Sequence, residues 1–377
     1  MVPLLAPVSL SGFSGRAQEY LAGRLKESGM AVSSGATGGL DKSLGDTFDH
    51  DKSVVPGGAV SVMLSTGDFS GAATGTATCT FGNKFIAFGH SFLESGGVSF
   101  PLASAYVHEI LPSLSVSFKL ASPIDVIGTI FADRPWSVGG EVGRTAELIP
   151  MTITVQDEDR AVKKVYKCNV VQHPELTHAL VTASVMSAMD STYQSQAPYV
   201  VRVKSDMEVV NHGLIQRTDR FPVNFPAHLS GSASDLLAKL KLVREPISGF
   251  VGGMVDRVLD NDFEDAKIKQ IKIEMTIENG RKVSRIERVF LDRSTVRPGE
   301  TVDVHCVMKP FSGPNYAEKL TFTVPPDLPD GDMAIGICGG DELEILRKRM
   351  GVADPAPENL TQIIARLRKK ERSDKLC

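Results

Sequence analysis

The chain has 377 residues, of which 42% are hydrophobic and 23% charged, with a formal net charge of −4. That length exceeds one ordinary core and points to two or three domains of a globular protein. The mild, interspersed charge excludes the clustered Lys and Arg of a nucleic-acid surface, and no apolar run reaches the ~18 residues that a membrane helix requires.

The first residues, Met1 to Val8, are apolar but few, carry Pro3 and Pro7 and lack a basic leader, so they read as a poor signal peptide. Residues 1–55 read as a strand, a helix and a connector. Ser14 is placed to cap a helix whose Ala17, Tyr20, Leu21 and Leu25 fall at helical spacing, with Gly29 at its end. Ser33 to Ser53, rich in Gly, Ser and Asp, reads as a flexible tether.

From Pro56 to about residue 160 the pattern changes to short strands at 59–64, 75–80, 85–88, 126–130 and 151–155, punctuated by Gly and Pro. This is the signature of an antiparallel barrel or sandwich, and it carries His90. Residues 161–262 are mixed: strands at 165–171 and 199–203, a helix over Leu176–Met189 and another over Ala233–Val243. In residues 263–340, Ile271 to Ile277 alternates strictly, Asn279-Gly280 suits a type I′ hairpin turn, and strands follow at 283–291, 301–308, 320–324 and 333–338. That spacing predicts an immunoglobulin-like sandwich. Residues 341–377 form a helical tail, with Asn359 capping Leu360, Ile363, Ile364 and Leu367. The run Arg366-Leu367-Arg368-Lys369-Lys370 reads as cations favouring a helix C-terminus. The fold class expected is mainly β with some α, a β-barrel region followed by the sandwich.

Five cysteines, Cys79, Cys168, Cys306, Cys338 and Cys377, have no paired spacing, which argues against a disulfide framework and against zinc. His173-Pro174-Glu175-Leu176-Thr177-His178 places two histidines five apart, whereas a zinc helix needs four to put both on one face. The reading is a proline-started helix with two surface histidines, and no metal or cofactor is expected. Ser232, with Asp235 three residues on and an apolar helical pattern behind it, reads as a helix cap rather than a nucleophile. His108 reads as structural. Trp136, the only tryptophan, reads as core; exposed, it would suggest a peptide contact. His90 closes the strand Phe85-Ile86-Ala87-Phe88-Gly89-His90, and histidine is the side chain best suited to move protons near neutral pH. Its neighbour Ser91 would face the opposite way on a strand.

Several short motifs in order carry a resemblance: Pro56-Gly57-Gly58-Ala59-Val60, Gly75-Thr76-Ala77-Thr78, Ala87-Phe88-Gly89-His90-Ser91-Phe92, Ala105-Tyr106-Val107-His108, Leu111-Pro112-Ser113-Leu114, Ser117 to Pro123 and Val126 to Ile130. Together they resemble the SpoIVB peptidase family, in particular its long bacterial relatives, over most of the chain. The resemblance implies a chymotrypsin-like barrel, a protein or peptide substrate, an envelope or exported setting, and His90 as general base. The family's nucleophile lies in a Gly-Met-Ser-Gly-Ser-Pro loop with an acidic partner upstream, and this chain contains no such string. A serine hydroxyl needs a base, and a base without a nucleophile transfers no acyl group. The expectation is therefore a His-bearing peptidase region, a fragment, processed product or degenerate member that is inactive without its serine-bearing segment, or else a non-catalytic β-rich scaffold that binds an extended peptide or protein partner.

Overall fold

The computed structural model describes residues 6–33, 38–41, 43, 53–112, 118–193, 198–223, 247–352 and 354–377. Strand β1 (Ala6–Ser11), helix α1 (Gly15–Glu27) and strand β2 (Met30–Ser33) open the chain. The Ser14 side chain accepts the Ala17 N–H, and Gly29 (φ +75°) turns the chain into β2, which pairs in parallel with β1. Of the expected tether, residues 33, 38–41, 43 and 53 are described, and Leu40 lies against Met63, Ala72 and Ala103.

Six strands then close on themselves: β3 (Ala59–Gly67), β4 (Ser70–Phe81), β5 (Lys84–Ala87), β6 (Gly96–Leu111), β7 (Phe118–Arg134) and β8 (Ser137–Val142). Every neighbouring pair is antiparallel, in the ring β3–β4–β5–β8–β7–β6 and back to β3. Closure leaves no free edge within the ring, and a ring of this size is filled by side chains rather than solvent. Val62, Leu64, Phe85, Ala87, Phe100, Leu102, Ile130 and Val138 are buried in one cluster. The short runs between Pro56 and residue 142 thus form a barrel. The last run of the expected barrel region, β9 (Leu148–Asp157), lies outside the ring, in a five-stranded sheet that continues from β3.

That sheet has the order β12–β11–β13–β9–β10, with β10 (Val162–Val171) pairing the end of β3. Helix α2 (Pro174–Thr192) follows β10, then β11 (Tyr199–Val209), β12 (Gly213–Val223), α3 (residues 247–259) and β13 (Ile268–Asn279). Alternation puts Ile149, Met151, Ile153 and Val155 of β9 and Ile271, Ile273, Met275 and Ile277 of β13 into the core. Helix α2 is buried from Leu176 to Met189 apart from the half-buried His178. Its hydroxyls are satisfied internally: Ser184 Oγ donates to the Leu180 carbonyl and Ser187 Oγ to the Ala183 carbonyl, both at 2.8 Å. Arg16 and Ser14 hold Asp190 at the far end, which fastens α1 to α2.

The C-terminal part departs from the expected sandwich. Strand β13 pairs β11 and β9 of the large sheet, so Asn279-Gly280 is not a hairpin turn; the Gly280 N–H donates to the Pro198 carbonyl, and the chain leaves for a separate sheet. That sheet is three-stranded: β14 (Ser284–Leu291), β15 (Thr301–Pro310) and β16 (Tyr316–Thr323). Residues 333–338 are irregular, yet Ile335 and Ile337 cover the Val304, Cys306 and Met308 face. Alternation reports that a segment is a strand with one buried face, and is silent about which sheet supplies the partner. Two tail helices, α4 (Leu343–Arg349) and α5 (Leu360–Lys369), complete the chain. Asn359 caps α5 through the Gln362 N–H, and Arg368 in the last turn reaches the His212 and Leu214 carbonyls of the β11–β12 turn.

Candidate active site

His90 stands at the mouth of the barrel, in the connection between β5 and β6. The chain leaves β5 through two successive left-handed residues, Phe88 (φ +76°) and Gly89 (φ +71°). Such a backbone is unusual for a bulky side chain and costs on the order of 1–3 kcal/mol, so neighbours must hold it. The Phe88 N–H donates to the Thr76 carbonyl at 2.9 Å, and its ring lies over Gly75, where an added Cβ would sit 2.1 Å from Phe88 Cδ1. Only glycine leaves room for that ring. Lys119 Nζ donates to the hydroxyl of the same Thr76, and burial lowers its pKa from the ordinary value.

Beyond His90 the connection wraps around one carboxylate. Asp133, at the end of β7 and 1% exposed, accepts the N–H groups of Phe92 (2.7 Å), Leu93 (2.6 Å) and Ser95 (3.3 Å). Three backbone donors on a buried carboxylate are the anchor of this segment. The rings of Phe88, Phe92, Phe100 and His173 continue as a chain of edge and tilted contacts into the core.

The half-buried His90 ring has a defined tautomer. Its Nδ1 lies 2.6 Å from the Ser91 carbonyl oxygen, which can only accept. The neutral ring therefore carries its proton on Nδ1 and presents the Nε2 lone pair, and Nε2 has no partner among the described residues. A ring so held can take a proton from an incoming hydroxyl. The Ser91 hydroxyl is turned away, donating to Glu94 at 3.2 Å.

Other candidate residues are placed differently from their expected roles. Trp136 is not core: at 83% exposed it projects from the β7–β8 turn, three residues after Asp133. His173 is not a surface histidine. It is 7% exposed and caps α2, Nδ1 accepting the Glu175 N–H while Nε2 meets the Ser95 hydroxyl at 2.9 Å. With Nδ1 as acceptor, Nε2 bears the proton and donates to Ser95, so this pair cannot activate that serine. His178, one turn on, faces Asp256 instead. His108 Nε2 lies 2.7 Å from the Ser122 hydroxyl, but Ser122 is 1% exposed on β7, closed to any substrate. Among the described residues no group of three His, Cys, Asp or Glu side chains is arranged to hold a metal ion. Ser232, Asp235 and the helix expected over 233–243 lie outside the described residues.

Asp133 is the residue that sequence reasoning passed over. Its only local signal is a turn, Asp133-Arg134-Pro135-Trp136, and nothing there announces three N–H partners some forty positions earlier. Clefts of about 420 Å3 (Gly12, Asp68, Tyr166, Ser191) and 320 Å3 (Thr66, Ile127, Arg144, Leu148) are lined by residues other than the 88–96 segment.

Burial lowers the His173 pKa below its ordinary 6.5, with Glu175 and Asp133 opposing more weakly. The unfolded chain binds this proton more readily than the folded one, so the stabilisation is complete above 6.5 and is lost as pH falls through the lowered folded value. Urea midpoints measured at pH 7.5, 6.5 and 5.5 should fall on the acid side, and His173→Gln should flatten that fall. An unchanged acid slope in the variant would remove His173 from the account.

No protein-family model, curated protein or solved structure matches the chain. Its geometry defines a histidine whose Nε2 has no partner among the described residues, at the mouth of a closed six-stranded barrel.

Proposed function

We propose that the chain is the general-base region of a SpoIVB-like serine peptidase, incomplete until a serine-bearing segment joins it. The observation that carries this reading is the His90 ring, with Nδ1 2.6 Å from the Ser91 carbonyl oxygen and Nε2 without a partner among the described residues. In the assembled enzyme, Nε2 would take the serine proton as oxygen attacks a peptide carbonyl, then return it to the leaving amine. The carbonyl orients the ring as a carboxylate would, but stabilises the imidazolium less. Two features support a chymotrypsin-like barrel: the antiparallel closed ring, and the place of His90 between its third and fourth strands. The half-exposed His90, lining neither described cleft, and the exposed Trp136 suit an extended peptide better than a small molecule.

The test is intact-mass labelling with a fluorophosphonate, comparing the wild-type chain with His90→Ala. The expected result is no adduct on the chain alone, and an adduct when the serine-bearing segment is added, formed at least about 100-fold more slowly in the variant. A His90-dependent adduct on the chain alone would put the nucleophile within these 377 residues and refute the incompleteness. An adduct indifferent to His90 would refute its role as base.

The alternative, a binding scaffold, is favoured by β14, an edge strand of the small sheet with Val289, Phe290 and Leu291 exposed. An edge of this kind can accept an extended peptide through backbone hydrogen bonds. On that reading proline substitutions in β14 abolish partner binding and His90→Ala leaves it unchanged.

A further inference from the structure

Two of the five cysteines face each other across a short strand pairing. Beside the small sheet, residues 338–340 run antiparallel to residues 375–377. The Cys338 N–H donates to the Cys377 carbonyl, the Cys377 N–H donates back to the Cys338 carbonyl, and the Gly340 N–H donates to the Lys375 carbonyl, each at 2.9 Å. The bridge Gly339–Leu376 lies between them. Reciprocal bonds of this kind define directly opposed residues, whose Cα atoms lie about 5.5 Å apart and whose side chains leave the same face. A disulfide accepts Cα separations of about 4.4–6.8 Å, which this pair meets, and closing it needs only a local adjustment that draws the two Cβ atoms from about 5 Å to the 3.5–4.5 Å of a bridge. Both thiols are free; Cys338 is buried and Cys377 half-exposed.

We propose that Cys338 and Cys377 form a reversible disulfide, a redox-controlled clasp between the tail and the small sheet. The oxidant is a small-molecule disulfide such as oxidised glutathione. The more exposed Cys377, as thiolate, attacks one sulfur of the oxidant and expels one thiolate, leaving a mixed disulfide. The Cys338 thiolate then attacks the Cys377 sulfur and releases the second. The protein loses two protons and two electrons, and the oxidant becomes two thiols. Burial, with acidic neighbours assisting, raises the pKa of both thiols, so the exchange should quicken as pH rises.

The surroundings say what the clasp would join. Upstream of Cys377 the tail is fastened to the large sheet: α5 buries Leu360, Ile364 and Leu367 in the main core, Arg217 donates to the Leu367 carbonyl, and the Ser373 N–H donates to Asp219. Leu376 packs into the small sheet's own cluster. A bond between Cys338 and Cys377 would therefore tie the small sheet to a segment already held by the main body. The other cysteines are less suited. Cys306 is on β15, opposite Val289 and Glu318 rather than a cysteine, and Cys79 and Cys168 are in the barrel and the large sheet.

The test incubates the full chain in buffers of rising oxidised-to-reduced glutathione ratio, quenches by alkylation, and reads intact mass and a peptide map. The expected result is the joint loss of two of the five thiols, a mass decrease of two hydrogens, and one cross-linked peptide pair containing Cys338 and Cys377. Cys377→Ser and Cys338→Ser should each abolish that cross-link. The oxidised wild type should unfold at higher temperature, and dithiothreitol should reverse the gain. Five thiols persisting across the series would overturn the proposal. So would a lasting glutathione adduct on Cys377, a Cys306 partner, or a bond between two chains.

Discussion

Replacing Asp133 with Ala lowers the unfolding free energy by about 3 kcal/mol or more, read from urea denaturation at pH 7. The reason is the orphaning of donors: the Phe92, Leu93 and Ser95 N–H groups all end on this one carboxylate. A buried backbone donor left without its acceptor costs about 1–3 kcal/mol, and three on one group do not sum independently. Asp133→Asn is the sharper control. It keeps one acceptor oxygen but turns an NH2 group toward an N–H, so it should recover part of the loss and no more. A cost under about 1 kcal/mol for the alanine variant would mean that water reaches these donors and that the carboxylate is not the anchor. Because the same segment carries His90, the variant should also broaden or shift the His90 imidazole resonances, while those of the distant His305 on β15 stay in place.

The second large effect is at Gly75. Its Cβ-less backbone lies under the Phe88 ring, and an alanine methyl would stand 2.1 Å from Cδ1 and 2.2 Å from Cε1. Overpacking of this kind costs about 1–3 kcal/mol, and the upper end is expected because Phe88 has little freedom to move away. Its backbone is already left-handed, and its ring is wedged toward Phe92 and His90. A double-mutant cycle separates this from a general strand effect. In a Phe88→Gly background the methyl meets no ring and the glycine suits a positive φ, so Gly75→Ala should then cost less than about 0.5 kcal/mol. Equal costs in both backgrounds would show that the clash is relieved elsewhere in β4.

Both predictions concern the barrel mouth, where the sequence was informative about identity and uninformative about environment. His90 could be singled out because a histidine at the end of an apolar strand is a local pattern. Its tautomer could not, since that depends on the Ser91 carbonyl folding back onto Nδ1. Trp136 illustrates the same divide from the other side. Its residue type favours burial, but the β7–β8 turn holds it outside a ring whose interior is already filled by Phe85, Ile130 and Val138.

What the sequence determined by itself were features written over a few neighbouring residues. The Ser14 and Asn359 caps, the proline-started helix after His173 and most of the strands depend on spacing and capping chemistry that act within one turn or one pleat. Tertiary structure decided everything that required two distant segments to meet: the ring closure of β3 with both β4 and β6, the capture of β13 by β11 and β9, the three N–H groups on Asp133, and the opposition of Cys338 and Cys377. The physical reason is that a strand's alternation specifies which face is buried and leaves its two edges equally able to pair. Which edge is taken is settled only when the whole core closes and every buried donor must find its acceptor.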